Sequence, residues 1–303
     1  MKKLLFIFNP KSGSGKIAKK VDKITAVFSS AGYETEVYPT TAPLDGQNKV
    51  LSDGLSYDRV VVAGGDGMMS ELVGAVMRLD RPIEVGYIPT GTANDFAHSH
   101  GISKKPLKAA KIAVSDNVKA VDVGQFNENY FAYVSASGFG TKASYLTNQK
   151  SKNRWKFLAY LAYALKDLSK KRMRENTKKM TIVTDNEVFE GEFVFVAVSN
   201  SFSIAGMKNL TDKTSVLDDG KLEGLFLPFP KNLKKWTLLL KAFFTRNYHL
   251  PGLMFTSSKK FEITSQPASW TLDGENGGEH EKITILAHQS ALHIALPKKK
   301  KDK

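Results

Sequence analysis

The segment Arg59–Gly67 constrains the fold of this chain more than any other part of its sequence. Apolar strand residues run directly into the turn Gly64-Gly65-Asp66-Gly67, and residues 69–77 then show the apolar spacing of a helix. This order predicts a strand, a tight turn and a helix, in which the glycines allow positive φ angles and the close approach of a ligand. The start of such a helix suits phosphate, and Asp66 could hold a metal ion. An ordinary strand-to-helix turn with a solvated aspartate would fit the same residues.

Strands and helices alternate through the N-terminal part of the chain. The sequence predicts strands over Leu4–Phe8, Glu34–Tyr38, Arg59–Ala63 and Glu84–Ile88, and all of these except Glu34–Tyr38 are mainly apolar. Helical spacing of apolar residues lies between them, and this alternation is typical of a doubly wound parallel sheet. Such folds bind ligands at the carboxyl ends of their strands. We therefore expect the site among the Asn9 loop, Thr40, the glycine turn and the loop after Pro89.

The loop Asn9–Lys16 follows the first strand and contains a Gly-Lys pair. It is not a Walker A motif, because Pro10 replaces the first glycine and Ile17 replaces the required Ser/Thr. Its backbone amides and its lysines could still contact phosphate.

The loop Pro89–Ala97 follows the fourth predicted strand and is small and polar. Thr92 or Asn94 can cap the helix that comes next. Next to the Asp66 turn, this loop would complete a nucleotide cleft.

After residue 122 the pattern changes to strands without regularly intervening helices. The predicted strands are Tyr130–Ser135, Lys179–Thr184, Val188–Ser199, Leu222–Leu227, Lys260–Thr264, Ala268–Leu272, Lys282–Ala287 and Ala291–Leu296. They favour an antiparallel sandwich. The predicted fold is therefore an α/β nucleotide-binding domain over residues 1–122 and an all-β sandwich with helical inserts over residues 123–290.

Two apolar, aromatic and basic segments interrupt the predicted sandwich. Helical patterns cover Trp155–Leu168 and Leu233–Thr245. These helices could meet a bilayer and admit a lipid, or they could simply pack on the sandwich.

Positive charge is concentrated in two places. The chain of 303 residues has a net charge of +14, of which residues 148–179 carry +9 and residues 298–303 carry +4. An anionic membrane surface and nucleic acid are both candidate partners for such patches. Because no nucleic-acid reader motif is present, we expect the membrane surface and no nucleic acid.

The chain has no cysteine, which excludes disulfides and thiolate metal sites and fits a reducing compartment. The apolar run after Lys3 is too short for a signal peptide, and no run approaches the roughly 20 residues of a transmembrane helix. We therefore expect a cytoplasmic protein that associates peripherally with membranes. The oligomeric state stays open, a homodimer included.

Two acidic turns complete the set of candidate sites. Asp218-Asp219-Gly220 could bind a divalent ion or form a plain hairpin turn. In Asp273-Gly274-Glu275 two carboxylates flank a glycine, and Glu275 could act as a general base.

These segments together resemble the diacylglycerol kinase catalytic-domain family of soluble bacterial lipid kinases, over essentially the whole chain. Five motifs stand in the family's order: Asn9-Pro10 with Gly13-Ser14-Gly15, Gly64-Gly65-Asp66-Gly67, Gly91–Ala97, Asp218–Leu222 and Asp273-Gly274-Glu275. The glycine turn alone would equally suggest an NAD kinase or a phosphofructokinase-like enzyme.

The resemblance implies ATP and Mg²⁺ as cofactors and a lipid alcohol at an anionic membrane as the substrate. It implies that Asp66 organises the catalytic magnesium and that Glu275 takes the proton from the lipid hydroxyl. Asp219, with the carbonyls of Val216 and Lys221, would hold a second magnesium. The last strand, within residues 291–303, would return to the first domain. The implied ATP-binding residues are Asn9, Thr40, Gly64, Gly65, Asp66, Gly67, Met68, Met69, Ser70 and Thr92.

The chain departs from the family after the glycine turn. The family usually has Thr, any residue, Asn and Glu, whereas this chain has Met68, Met69, Ser70 and Glu71. The loss of a hydroxyl near the phosphates suggests weaker nucleotide binding. Besides a lipid kinase and an NAD kinase-like enzyme, a catalytically impaired membrane-binding or regulatory protein therefore remains as an alternative.

Overall fold

The computed structural model describes residues 1–15, 17–138, 177–200, 203–204, 207–208, 218–229 and 253–298. Both predicted helical inserts, Val216 and the end of the lysine tail lie outside the described residues.

The N-terminal half is built on a parallel sheet with strand order β2-β1-β3-β4. All four predicted strands are present: β1 (Lys2–Phe8), β2 (Tyr33–Pro39), β3 (Arg59–Gly64) and β4 (Glu84–Pro89). The central strand β3 is buried along its whole length, because helices cover both faces of a parallel sheet. The helices are α1 (Val21–Ser30), α2 (Asp45–Asp53), α3 (Asp66–Val76), α4 (Asp95–Ser99) and α5 (Pro106–Ala113).

The second half of the described chain is antiparallel, as predicted. Its strands are β5 (Val118–Phe126), β6 (Asn129–Phe131), β7 (Val134–Gly138), β8 (Lys178–Thr184), β9 (Val188–Ser199), β10 (Ser203–Ile204), β11 (Met207–Lys208), β12 (Leu222–Pro228), β13 (Met254–Ser258), β14 (Lys260–Leu272) and β15 (Glu275–Ala295).

Several strand boundaries differ from the prediction. The predicted strand over 130–135 is broken into β6 and β7, and β5 and β13 were not predicted. Four predicted strands merge into two, because the irregular register of β14 between Thr264 and Ala268 bends that strand without ending it.

Most of the antiparallel strands belong to one hydrogen-bonded sheet, and β10 and β11 form a separate two-stranded sheet. Strand β8 pairs with the first parts of β9 and β14, whereas β7 pairs with their later parts. These four strands therefore close on themselves as one bent sheet. Aromatic side chains fill the space that the bend encloses, among them Phe126, Phe193, Phe226, Phe261 and Trp270.

The long strand β15 joins the two halves. It runs antiparallel to β14 and β5, and Ile294 near its end pairs with Val85 of β4 in parallel. Apart from the pair β10 and β11, the described strands thus form a continuous sheet from β2 to β13. The predicted domain boundary at residue 122 falls inside β5. Among the described helices, none has the length and apolar character that crossing a membrane requires.

Candidate functional site

The loops at the carboxyl ends of the parallel strands are hydrogen-bonded to one another. The N–H of Thr90 donates to the carbonyl of Gly64 at 2.8 Å, and the hydroxyls of Ser12 and Thr90 are 2.6 Å apart. The N–H of Thr40 donates to the carbonyl of Phe8 at 2.9 Å. The predicted convergence of these loops is therefore present.

Helix α3 begins at Asp66, directly after the glycine pair. Its first intrahelical bond runs from the N–H of Met69 to the carbonyl of Gly65 at 3.3 Å. The amides of Asp66, Gly67 and Met68 precede that bond, so they have no partner within the helix. Amides in this position, with the positive end of the helix dipole, suit an anion such as phosphate.

The glycines of this turn are required by close packing and not by positive φ angles, which corrects the prediction. None of Gly64, Gly65 and Gly67 has a positive φ. A Cβ at Gly64 would collide with the side chain of Met68. A Cβ at Gly91 would lie 2.6 Å from Cα of Gly65, so two glycine loops touch backbone to backbone.

Asp66 caps α4, a role that the sequence analysis gave to Thr92 or Asn94. Oδ2 of Asp66 accepts the N–H of Asn94 at 2.8 Å, and Oδ1 accepts the N–H of Phe96 at 3.4 Å. The side chain of Asn94 instead bonds both backbone groups of Gly91. Thr92 is exposed.

Buried carboxylates surround Asp66. Burial, followed by the nearby charge of Asp95, raises the pKa of Asp66 to about 7, and Asp273 contributes in the same direction. Asp95 and Asp273 are 2% and 3% exposed. A divalent cation would relieve this repulsion and is bound by oxygen ligands of this kind, so the residues fit Mg²⁺. Asp66 and the phosphates of a nucleotide would hold it.

Glu275 lies against the glycine turn. It follows a two-residue hairpin in which Asp273 and Gly274 have φ angles of 51° and 86°. A Cβ at Gly67 would lie 3.2 Å from Oε1 of Glu275. Two motifs separated by about two hundred residues of sequence therefore meet, and the carboxylate of Glu275 is exposed beside the helix start.

Asp273 is a residue for which the sequence analysis gave no role. Its buried carboxylate accepts the N–H groups of Ala132, Tyr133 and Val134 at 2.6, 2.9 and 3.0 Å. The position of an aspartate in a tight turn was visible in the sequence, but its partners are backbone amides at the break between β6 and β7, about 140 residues away.

Two carboxylates shape the loop after Thr40. Asp45 accepts bonds from the N–H and hydroxyl of Thr41 at 2.7 and 2.9 Å, and these bonds lower its pKa. Oε1 of Glu71, on α3, accepts the N–H of Leu44 at 3.2 Å. Glu71 therefore connects the Thr40 loop to the helix that starts at the glycine turn.

The side chains of Met68 and Met69 are buried in the core of the N-terminal half. Only their backbone can face a ligand at the start of α3. Asn9 is half-buried, and its Oδ1 accepts the N–H of Lys11 at 2.9 Å, which fixes the first loop.

A cleft of about 240 Å³ opens beside the Gly91 loop. Lys20 and Lys104 line it together with Thr90, Thr92 and Asn94. Lys104 also donates to the carbonyl of Ala93 at 3.2 Å. The two lysines make the cleft basic, which suits an anionic ligand, while Ile17, Pro89 and Pro106 make most of its lining apolar.

The second predicted metal site is only partly described. Oδ1 of Asp219 accepts the N–H of Lys221 at 3.1 Å, and Val216 lies outside the described residues. Asp122, which was not predicted, accepts the N–H groups of Gly220 and Ser290 at 2.6 and 2.7 Å. Burial raises the pKa of Asp122, and the charges of Asp219 and Asp218 add to this shift. The sequence did contain a signal for Asp122, because a carboxylate among the apolar residues of β5 needs polar partners.

The candidate ligands of this second site are the carboxylate of Asp219 and the carbonyls of Val216 and Lys221. All of them are oxygen atoms, which magnesium prefers. The buried Oδ1 of Asn200 has no hydrogen-bond partner among the described residues, and Nδ2 of the same side chain donates to the carbonyl of Asp122. Within the described ranges, however, no three acidic or histidine side chains are grouped closely enough to hold a metal by themselves.

Comparison with known proteins identifies the family. The model of the diacylglycerol kinase catalytic domain matches residues 3–126. A diacylglycerol kinase of Bacillus subtilis is 30% identical over 99% of this chain and 98% of its own length. A diacylglycerol kinase of Staphylococcus carnosus is 28% identical over 92% of this chain and 90% of its own.

The fold agrees with a solved structure. The crystal structure of a diacylglycerol kinase from Bacillus anthracis matches with a TM-score of 0.75 and 21% identity, over 98% of this chain and 97% of the other. Sequence and fold both match over nearly the full length, and the chain therefore belongs to the diacylglycerol kinase family of lipid kinases.

Proposed function

We propose that this protein transfers the γ-phosphate of ATP to the hydroxyl of diacylglycerol or a similar lipid alcohol. One observation carries the proposal: the carboxylate of Glu275 lies beside Gly67, at the helix start whose amides suit phosphate. A general base must reach the proton that it removes while the phosphate is held nearby.

The proposed mechanism assigns one task to each group. The amides at the start of α3 hold the phosphates, with the Asn9 and Gly91 loops around them. Glu275 accepts the proton of the lipid hydroxyl while the oxygen of that hydroxyl bonds to the γ-phosphorus of ATP. The bond between the γ-phosphorus and the oxygen that bridges it to the β-phosphate breaks, and ADP leaves. Mg²⁺, held by Asp66 and the nucleotide, would neutralise charge on the phosphates.

The other groups support positioning. Thr40, Asn9 and Thr92 would bind the nucleotide, and Asp219 with Lys221 and Val216 would hold the second magnesium away from the reacting atoms. We further propose that the basic residues of 148–179 bring the protein to an anionic membrane, where the lipid resides.

The test is transfer of labelled γ-phosphate to a panel of lipid alcohols in mixed micelles with Mg²⁺. The panel contains diacylglycerol, phosphatidylglycerol, a sphingoid base and a polyprenol. We expect transfer to a lipid that Glu275→Gln lowers by at least about 100-fold, the lower end of the usual contribution of a general base.

The outcomes separate the candidate functions. Transfer by the parent protein that Glu275→Gln leaves unchanged would contradict the assignment of the base. If the folded protein binds anionic vesicles but transfers phosphate to no lipid, the catalytically silent membrane-binding function replaces the kinase. A parallel reaction with NAD in place of the lipids tests the soluble alternative, which transfer to NAD and to no lipid would favour.

A further inference from the structure

Tyr133 lies at the break between β6 and β7, and hydrogen bonds fix its backbone on both sides. Its N–H donates to Oδ1 of Asp273, directly after β14, at 2.9 Å. Its carbonyl accepts the N–H of Asn200, directly after β9, at 2.9 Å. Because the backbone cannot shift without losing one of these bonds, the place of the side chain is fixed as well.

The side chain of Tyr133 reaches the hairpin that carries Glu275. Its ring packs in the apolar core of the N-terminal half, and the residue is only 5% exposed. A Cβ placed at Gly274 would lie 3.9 Å from the hydroxyl oxygen of Tyr133. Gly274 directly precedes Glu275, whose carboxylate lies against Gly67. The hydroxyl therefore lies beside the proposed base, where the hairpin meets the N-terminal half.

The hydroxyl of Tyr133 has no hydrogen-bond partner within the part of the chain that the structure describes. The buried Tyr87 differs, because its hydroxyl donates to the carbonyl of Gly64 at 3.2 Å. Polar groups in protein interiors are nearly always hydrogen-bonded, and one without a partner costs stability. An unpartnered hydroxyl beside Glu275 therefore points to a partner that the substrate supplies.

The chemistry of this hydroxyl selects an anionic partner. Burial raises the pKa of Tyr133 well above its usual value, and the charge of Asp66 adds to this shift, so the hydroxyl keeps its proton and can donate it. Of the two proposed substrates, ATP brings anionic oxygens and the lipid brings a neutral hydroxyl. Hydrogen bonds to charged acceptors are the stronger ones.

We propose that the hydroxyl of Tyr133 donates a hydrogen bond to the γ-phosphate of ATP, beside Glu275. This inference rests on the proposed function, in which the γ-phosphate is held between the start of α3 and Glu275. Tyr133 adds a side-chain donor from the second half of the chain to the backbone amides of α3. ATP makes this contact and ADP does not, so Tyr133 helps the site to distinguish the two nucleotides.

The first test measures nucleotide binding and needs no lipid. Calorimetry with Mg²⁺ compares ADP with an ATP analogue that has nitrogen between the β- and γ-phosphorus and cannot transfer its phosphate. Tyr133→Phe removes one oxygen atom and keeps the ring. We expect the analogue to bind about tenfold more weakly, as for one hydrogen bond to a charged group, and ADP to bind with unchanged affinity.

The second test separates a substrate contact from a structural role. Because the hydroxyl has no partner in the described chain, Tyr133→Phe should leave the melting temperature of the nucleotide-free protein unchanged or raise it. Tyr87→Phe should lower it, since that variant loses the bond to Gly64. In lipid phosphorylation, Tyr133→Phe should lower kcat/KM for ATP by about tenfold. A lowered melting temperature with unchanged kcat/KM would contradict the proposal.

Tyr130→Phe is the matched control, three residues earlier in the same segment. The ring of Tyr130 lies 5.1 Å from the guanidinium of Arg78 and 5.8 Å from the ring of His288, and phenylalanine keeps both contacts. It should leave the affinity for both nucleotides and the melting temperature unchanged. An unchanged affinity of Tyr133→Phe for the analogue, or an equal loss of affinity for ADP, would overturn the inference.

The two proposals fail separately. A parent protein that transfers phosphate to no lipid, yet whose binding of the analogue depends on Tyr133, would refute the proposed function and leave the γ-phosphate contact supported. A parent protein that phosphorylates a lipid with Glu275 as base, and is indifferent to Tyr133→Phe in binding and in kcat/KM, would refute the contact alone.

Discussion

Oδ2 of Asp66 accepts the N–H of Asn94 at 2.8 Å, so the carboxylate that begins α3 also caps α4. The Gly91 loop and the glycine turn are therefore held together by the residue that is proposed to bind the catalytic cation. Structural and chemical roles of Asp66 overlap, and a single substitution to alanine would not separate them.

Asp66→Asn separates these roles. The amide oxygen can still accept the N–H of Asn94, whereas the negative charge for Mg²⁺ is lost. We expect lipid phosphorylation to fall by at least about 100-fold, the order found when one charge-stabilising group is removed. The melting temperature should fall less than in Asp66→Ala, which also loses the cap. Activity above a tenth of the parent value would contradict the magnesium role.

Gly67→Ala tests the contact between the two halves of the site. The new Cβ would lie 3.2 Å from Oε1 of Glu275, so the carboxylate must move by a fraction of an ångström. We expect kcat to fall by about tenfold, less than the roughly 100-fold given for a displacement of about 1 Å. Steady-state kinetics with saturating ATP measures this effect. Gly191→Ala is the control, since its Cβ would meet only the ring of Phe193 at 3.9 Å, and it should retain full activity.

Asp273 makes stability depend on pH. Burial raises its pKa from 3.8 to about 6 despite its three backbone hydrogen bonds. Between these values the folded protein retains a proton that the unfolded chain has lost, so the free energy of unfolding falls as pH rises through this range. Relative to Asp273→Asn, the parent should therefore lose stability from pH 3.8 to about 6. Urea denaturation in EDTA measures the difference, and a constant difference would contradict the shift.

Met68→Thr tests the departure from the family's motif. The hydroxyl of threonine is bonded to Cβ and lies close to the backbone of the first turn of α3, unlike the buried end of the methionine side chain, so it should lower KM for ATP. Because the Met68 side chain is buried, we also expect the free energy of unfolding to fall by about 2 kcal/mol. Met68→Val is the matched control, since it has nearly the shape of threonine without the hydroxyl. Equal KM values for the two variants would show that the hydroxyl does not matter.

Local sequence patterns predicted the N-terminal fold well. Strands β1, β3 and β4 are largely buried and apolar, whereas the edge strand β2 is mostly exposed; amphipathic helices separate the strands, so period and composition indicated all four. The same order predicted that their carboxyl ends would meet, which the bond between Thr90 and Gly64 shows. Strand boundaries in the second half were less predictable. Irregular register bends β14 and β15 where the prediction ended a strand, and the residue types alone do not distinguish such a bend from the end of a strand.

The sequence by itself determined the glycine turn, its aspartate and the family to which the chain belongs, since each depends on residues that are adjacent along the chain. Only the tertiary structure decided that Asp66 caps α4, that the turn glycines serve close packing, and that Asp273 binds the break before β7. The first two follow because β3 and β4 are neighbouring parallel strands, whose following loops therefore touch. The contact between Glu275 and Gly67 depends instead on the long strand β15, which pairs with β4 and begins at the hairpin of Glu275.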